Sequence, residues 1–195
     1  MLKSLKNTAR SVKTFISPTD RMRLLKQLPK NAICAEIGVW KGGFSQEILK
    51  TTSPKKLHLI DPWIFQSEFA ERWYGGAIAK SQDDMDAIHD DVATKFKPFP
   101  QVIINRGTSA DVFPQFDDHY FDWVYIDGNH YYEYVLEDLN HALKKVRPGG
   151  IIAGDDYTWG PEYDLPVTRA VHDFTVTNGL TQALRVIDTQ FLIQI

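Results

Sequence analysis

From residue 32 onward, short apolar runs alternate with segments of helical periodicity. This alternation limits the possible folds more than any other feature of the chain. Strands are expected at 32–37, 56–61, 101–105, 121–127 and 151–154, and helices at 43–50, 83–96, 109–113, 134–146 and 166–178. Such an order implies an α/β fold with a mostly parallel sheet and helices on both faces. The last two runs, 184–187 and 191–195, are joined only by Asp188-Thr189-Gln190. That link is too short for a crossover helix, so they form a hairpin and one strand runs antiparallel. Ahead of the first strand, Pro18 and Thr19-Asp20 introduce a short capped helix over 21–28. The link at 62–82 is long and carries Trp63, Phe65, Phe69, Trp73 and Tyr74, which marks it as an aromatic lid.

A chain of 195 residues with 43% hydrophobic and 24% charged residues suits one globular domain. No apolar run approaches the roughly 20 residues of a transmembrane helix, and no signal-peptide core is visible. The one cysteine, Cys34, lies in the first strand as a small buried hydrophobe and cannot form an internal disulfide, which fits a cytoplasmic protein. The net charge of −3 is uneven: residues 1–30 hold eight Lys/Arg against the single acid Asp20. Lys3, Lys6, Arg10 and Lys13 recur at helical spacing among Leu2, Leu5, Val12 and Ile16, which defines a basic N-terminal helical arm (1–30) ahead of the domain at 31–195. The arm is a candidate for packing on the domain or joining subunits into a homo-oligomer, or for touching an anionic surface. The acidic body, without a broad basic or aromatic stripe, argues against nucleic acid as a partner.

The first strand ends in Glu36, a glycine turn at Gly38 and a helix start at Gly43. Gly38 can adopt backbone angles closed to other residues and lets a ligand reach the main chain. The helix start behind it presents free N–H groups. In open α/β sheets, ligands bind beyond the carboxyl ends of the strands, near the point where strand order reverses. Four of the five parallel tips here are acidic or abut an acid: Glu36, Asp61, Asp127 and the pair Asp155-Asp156. Asp61 follows Gly38 by 23 residues, the spacing of an acid that accepts bonds from ribose hydroxyls. The turn Gly38-Val39-Trp40-Lys41-Gly42 lacks the third glycine of a dinucleotide site, and Glu36 would repel a pyrophosphate while suiting an ammonium. A ligand with ribose, a cationic amine and no phosphate fits better, and S-adenosylmethionine has those parts. The alternatives are that Glu36 caps the turn and that Asp61 starts one.

Residues 36–42 resemble the first motif of class I S-adenosylmethionine-dependent methyltransferases, and Leu59-Ile60-Asp61-Pro62-Trp63 resembles the second. The stretches 125–133, Asp138-Leu139 and 148–157 resemble a narrower subset, the small-molecule O-methyltransferases of macrolide- and antibiotic-tailoring type, near the cephalosporin hydroxylase-like and catechol-type enzymes. The resemblance covers roughly 32–195. It implies a Rossmann-like seven-stranded sheet with one reversed strand near the C-terminus, in agreement with the terminal hairpin. It also implies a divalent metal, usually magnesium, at Asp127, Asp155 and Asp156. Three carboxylates on neighbouring tips repel one another unless protonated or neutralised by a cation, and hard oxygen donors suit magnesium. The alternative is that Asp155-Asp156 caps the next turn.

In the resembling subset a base lies just beyond Asp127, sometimes as His at the position of His130 and sometimes as Asp one residue earlier. Asn129 holds that earlier place here and cannot take a proton, so His130 is the candidate base, with a structural histidine as the alternative. The stretch Arg106-Gly107-Thr108-Ser109 borders the adenine in this fold, and Ser109 is also placed to cap a helix. The donor-site set is then Glu36, Gly38, Trp40, Gly42, Ser45, Asp61, Thr108, Ser109 and Asp127. Trp63, Trp73 and Tyr74 are available to cover adenine or acceptor, and Tyr157, Trp159 and Tyr163 to line the acceptor pocket. His58 reads as core. The expected activity is magnesium-dependent O-methylation of a small hydroxylated acceptor such as a sugar or a glycosylated or phenolic metabolite. The rivals are an NAD-dependent oxidoreductase on a similar sheet and a non-catalytic methyltransferase-like binding module.

Overall fold

A computed structural model describes residues 18–161 and 163–195. The basic pattern at 2–16, and with it any role of the arm in assembly, lies outside the described residues. The chain runs α1 (Pro18–Leu25), β1 (Ile33–Ile37), α2 (Gly43–Thr52), β2 (Lys56–Asp61), α3 (Gln82–Phe96), β3 (Val102–Arg106), α4 (Ser109–Val112), β4 (Phe121–Ile126), α5 (Tyr132–Lys145), β5 (Val146–Gly154), α6 (Pro166–Thr177), β6 (Leu184–Ile187) and β7 (Gln190–Gln194). The seven strands form one sheet in the order β3-β2-β1-β4-β5-β7-β6. Strands β1 to β5 pair in parallel, while β7 runs antiparallel to both β5 and β6. The strand order reverses between β1 and β4, so the crevice there opens at the tips that carry Gly38 and Asp127.

Side chains alternate across each central strand and fill two cores. Trp123 and Tyr125 of β4 face one cluster with Ile48 of α2 and Val92 and Phe96 of α3. Val124 and Ile126 face the other with Val135 and Leu139 of α5 and Val171 and Phe174 of α6. His58 is buried edge-on against Phe116, Tyr120 and Phe121, as expected of a core histidine. Cys34 is a free buried thiol.

Two local expectations are revised. The first helix begins at Pro18 and ends at Leu25 rather than 28. Its Leu24 and Leu25, with Leu28 beyond, are fully buried in the first core, so this part of the basic segment packs against α2 and the terminal hairpin. Strand β5 begins at Val146, running through the Arg147-Pro148-Gly149-Gly150 stretch expected as a turn. Its register against β4 shifts between Phe121 and Trp123, which absorbs the irregular glycines.

The lid at 62–82 contains a 3-10 turn (Ser67–Phe69) and a single π-turn (Trp73–Ala77). Gly75 lies against the Phe69 and Gln66 carbonyls, where a Cβ would overlap both. Trp63 is fully buried in the first core, its indole N–H donating to the Trp40 carbonyl at 2.9 Å, so it is not free to cover a ligand. Among the described residues, no helix is long and apolar enough to cross a membrane.

Candidate functional site

The β1 and β4 tips meet directly. The Asp127 N–H donates to the Ile37 carbonyl at 2.8 Å, and Gly38 N–H donates to the Ile60 carbonyl at 2.9 Å. Gly38 has φ +84°, and a Cβ there would overlap the Asp127 carbonyl, so only glycine lets these backbones close. Gly42, at φ +66°, precedes α2 and lies against Phe96, where a Cβ would come within 2.6 Å of the ring.

Beneath the turn, Ser45 Oγ donates to Glu36 Oε2, and both side chains are buried. Burial pushes the Glu36 carboxyl up to about 8; the Ser45 bond and Arg21 pull it down, while Asp127 and Asp61 add to the rise. Asp61 is equally committed to the fold. Its Oδ2 accepts the Val39 and Trp40 N–H groups at 2.9 Å each, and its Oδ1 accepts Trp63 N–H at 2.8 Å. Asp61 therefore ties the glycine turn to the start of the lid. Burial raises its proton affinity, and the three N–H bonds work against that rise. Thr108, not Ser109, caps the helix after β3, accepting from Asp111 N–H. Ser109 instead donates to the buried carboxyl of Asp138 on α5, which burial raises to about 7.

At the β4 and β5 tips, the chain collects three acids and three cations. Asp127, His130 and Asp156 each bring one ligand-capable atom within 4.8 Å of the others. His130 Nε2 lies 3.2 Å from Asp156 Oδ2 and 3.6 Å from Asp127 Oδ1, and neither ring nitrogen has a hydrogen-bond partner. Burial lowers the proton affinity of His130, but the two acids outweigh it and hold the ring above its ordinary value. Asp155 is turned away from this trio. Its Oδ1 accepts Asp156 N–H at 2.7 Å and the Gln190 side-chain amide, and its Oδ2 pairs with Arg21. Arg21 also reaches Asp127 Oδ2 at 3.0 Å and lies over the Phe44 ring at 5.0 Å. Burial raises the proton affinity of Asp155, as does the nearby Asp127 charge, while Arg21 opposes both. The expected trio of acids is thus redistributed: Asp127 and Asp156 converge with His130, and Asp155 holds an internal cation.

The aromatic residues divide similarly. Trp159 lies 5.4 Å from His130 and 5.8 Å from Tyr131, at the site. Tyr157 is buried with its hydroxyl 2.7 Å from His172, a structural contact, and Tyr163 is 91% exposed. Trp73 lies 5.8 Å from Trp40 at the lid's surface. Sequence reasoning missed Arg21, Gln190 and a third cation, Arg72. Arg21 falls within a run of basic residues that reads as solvated, and nothing in its spacing points to Asp127.

A methyltransferase-domain family model matches residues 35–157. A search of curated proteins finds no match to the chain. Among solved structures, the O-methyltransferase NovP is similar at 21% identity and a TM-score of 0.63, over 90% of this chain and 79% of that one. A SAM dependent methyltransferase from Aquifex aeolicus is similar at 14% identity and 0.56, over 89% and 87%. An O-methyltransferase family protein from Burkholderia thailandensis is similar at 14% and 0.56, over 88% of this chain and 53% of that one. At these identities the structural likenesses describe the fold.

Proposed function

The chain belongs to the methyltransferase-domain family and is an S-adenosylmethionine-dependent enzyme; from that premise we propose that it methylates a hydroxyl of a small acceptor with the help of a divalent cation, magnesium foremost. The observation that carries this reading is the convergence of Asp127, His130 and Asp156 beside the Gly38 turn, at the reversal of strand order. Family membership also removes the nicotinamide alternative.

In this reading Gly38 and the turn to Gly42 receive the methionine part of the donor. Glu36 and Ser45 hold the turn's shape from below. Asp61 positions the turn and lid, and the Thr108 region borders the adenine. The donor set at the acceptor side fits a divalent cation: two partly buried carboxylates stand within reach of one another, and an imidazole within ion-pair distance of both stands between them. Asp127 and Asp156 would hold the ion. When bound, it supplies a Lewis-acid contact for the acceptor's hydroxyl. Asp155 stays with Arg21 and Gln190 and orients the Asp156 backbone. His130, beside both carboxylates, takes the acceptor's proton, and Trp159 shields the exchange from water.

Most of the rate comes from holding the hydroxyl in line with the methyl group. The test is calorimetric titration with S-adenosylhomocysteine, then methyl transfer to a panel of small phenols and sugars with magnesium or with excess chelator. Donor binding with chelator-sensitive transfer is expected. Full transfer in chelator would remove the cation, and transfer to amines alone would remove the hydroxyl acceptor.

A further inference from the structure

Arg72 brings a guanidinium with two unbonded donors to the acceptor side of the crevice. The lid fixes its backbone: Arg72 N–H donates to the Phe69 carbonyl at 2.8 Å, and its own carbonyl accepts from Gly75 and Ala77. Its guanidinium lies over the Trp159 ring at 4.2 Å and the Tyr131 ring at 5.2 Å. Tyr131 is in turn stacked on Phe69 at 5.6 Å. Within this aromatic setting, Nε and Nη2 are buried and make no hydrogen bond. Among the described residues, the one acid within ion-pair reach is Glu71, 3.9 Å from Nε, and Glu71 is largely exposed with its Oε1 already accepting from the Tyr131 hydroxyl at 3.3 Å.

A guanidinium is always charged and presents a planar fork of donors. Leaving such donors buried and unmet is costly, so their occurrence in a folded chain calls for a partner. The rings hold the cation in place without satisfying it, because a π-face attracts the charge but fills no in-plane N–H. The Trp159 ring that it covers lies 5.4 Å from the His130 ring, which places Arg72 beside the reacting end of the crevice. The donor's half lies across the turn at Gly38, whereas both rings that hold Arg72 follow the β4 and β5 tips. The same two rings also line a neighbouring cavity of about 180 Å³ with Glu133, Asp164 and Arg169, whose lining does not include Arg72.

We propose that the acceptor carries an anionic oxygen group, a carboxylate or a phosphoryl group, and that Arg72 binds it through Nε and Nη2 while Trp159 and Tyr131 hold the guanidinium flat. This rests on the methyl-transfer reading and narrows its substrate class from hydroxylated molecules to hydroxylated acids. Closing the lid on such an acceptor satisfies the two donors, so Arg72 selects substrates as well as binding them.

The test uses the full chain with saturating S-adenosylhomocysteine and magnesium, and three probes: benzoate, phenyl phosphate and the neutral benzyl alcohol. Binding is followed by calorimetry in the wild type, Arg72→Gln and Arg72→Lys. At least one anion should bind the wild type about tenfold more tightly than benzyl alcohol, and the tighter of the two names the group. Arg72→Gln should lose that advantage, and Arg72→Lys, which keeps the charge but not the fork, should recover part of it. Affinity for S-adenosylhomocysteine, measured separately, should stay within about twofold in both variants, which also shows that they fold. Equal binding of all three probes to the wild type overturns the proposal. So does an anion preference that survives in Arg72→Gln, or a tenfold loss of S-adenosylhomocysteine affinity, which would assign the fork to the donor's own carboxylate. If the wild type fails to bind S-adenosylhomocysteine, the methyl-transfer reading falls, and this proposal falls with it.

Discussion

The two halves of the crevice differ in how far the chain satisfies its own polar groups. At the β1 and β2 tips, Asp61 accepts three backbone N–H groups and Glu36 is met by Ser45. At the β4 and β5 tips, His130 has no hydrogen-bond partner on either nitrogen, two guanidinium nitrogens of Arg72 are unmet, and acids stand close enough to repel one another. The first half is finished by folding, and the second is left for ligands to finish. A buried polar group without a partner is costly, so the second half keeps its shape through the Asp155 bonds to Arg21, Gln190 and the Asp156 N–H and through packing by Trp159, Tyr131 and the lid.

Changes in the unfinished half should therefore cut activity and spare the fold, while changes in the finished half should cut stability as well. The largest effect is expected for His130→Asn, which should lower kcat by about 10²–10⁴-fold, the usual span for a lost base. Its melting temperature should not fall; a variant that melts early would move His130 into the finished half. Next, Gly38→Ala forces a Cβ against the Asp127 carbonyl at a left-handed φ. A loss of about 3 kcal/mol or more is expected in urea unfolding, from overpacking and strain together. Asp61→Asn retains one acceptor oxygen for three N–H groups and should cost about 1–3 kcal/mol, again seen in unfolding. Unchanged stability there would mean that the turn does not depend on Asp61.

A pH slope separates the halves in another way. Glu36 is raised from 4.5 to about 8 and Asp138 from 3.8 to about 7, so the folded state binds more protons than the unfolded one between those values. The stability they contribute is whole below about pH 4, falls as pH rises, and is gone above about pH 8. Glu36→Gln should flatten the decline in melting temperature between pH 5 and 8, and an unaltered slope would show that Glu36 titrates normally.

Much of this frame is legible in the sequence. The apolar alternation placed all seven strands, and the three-residue link at 188–190 required the reversed strand. The acids at the tips were legible because parallel topology carries the ends of β1, β2, β4 and β5 to one edge. The extension of β5 through Pro148 and Gly149-Gly150 was not, because those residues normally end a strand and only the register shift against Phe121 and Trp123 accommodates them. Trp63 was misplaced for a related reason: a tryptophan in a lid looks the same in sequence whether it faces a ligand or the core.

By itself the sequence determined the sheet, its reversed strand, the glycine turn and the edge on which the acids meet. All of these follow from short-range periodicity and from spacing along one chain. Only the tertiary structure decided how those acids are shared. Arg21 comes from a helix ahead of the sheet to take Asp155, Gln190 comes from the last strand to meet it, and the lid delivers Arg72 between Tyr131 and Trp159. No periodicity links these positions. What joins them is the cost of burying a charge unpaired, and that cost exists only once the chain has folded around the site.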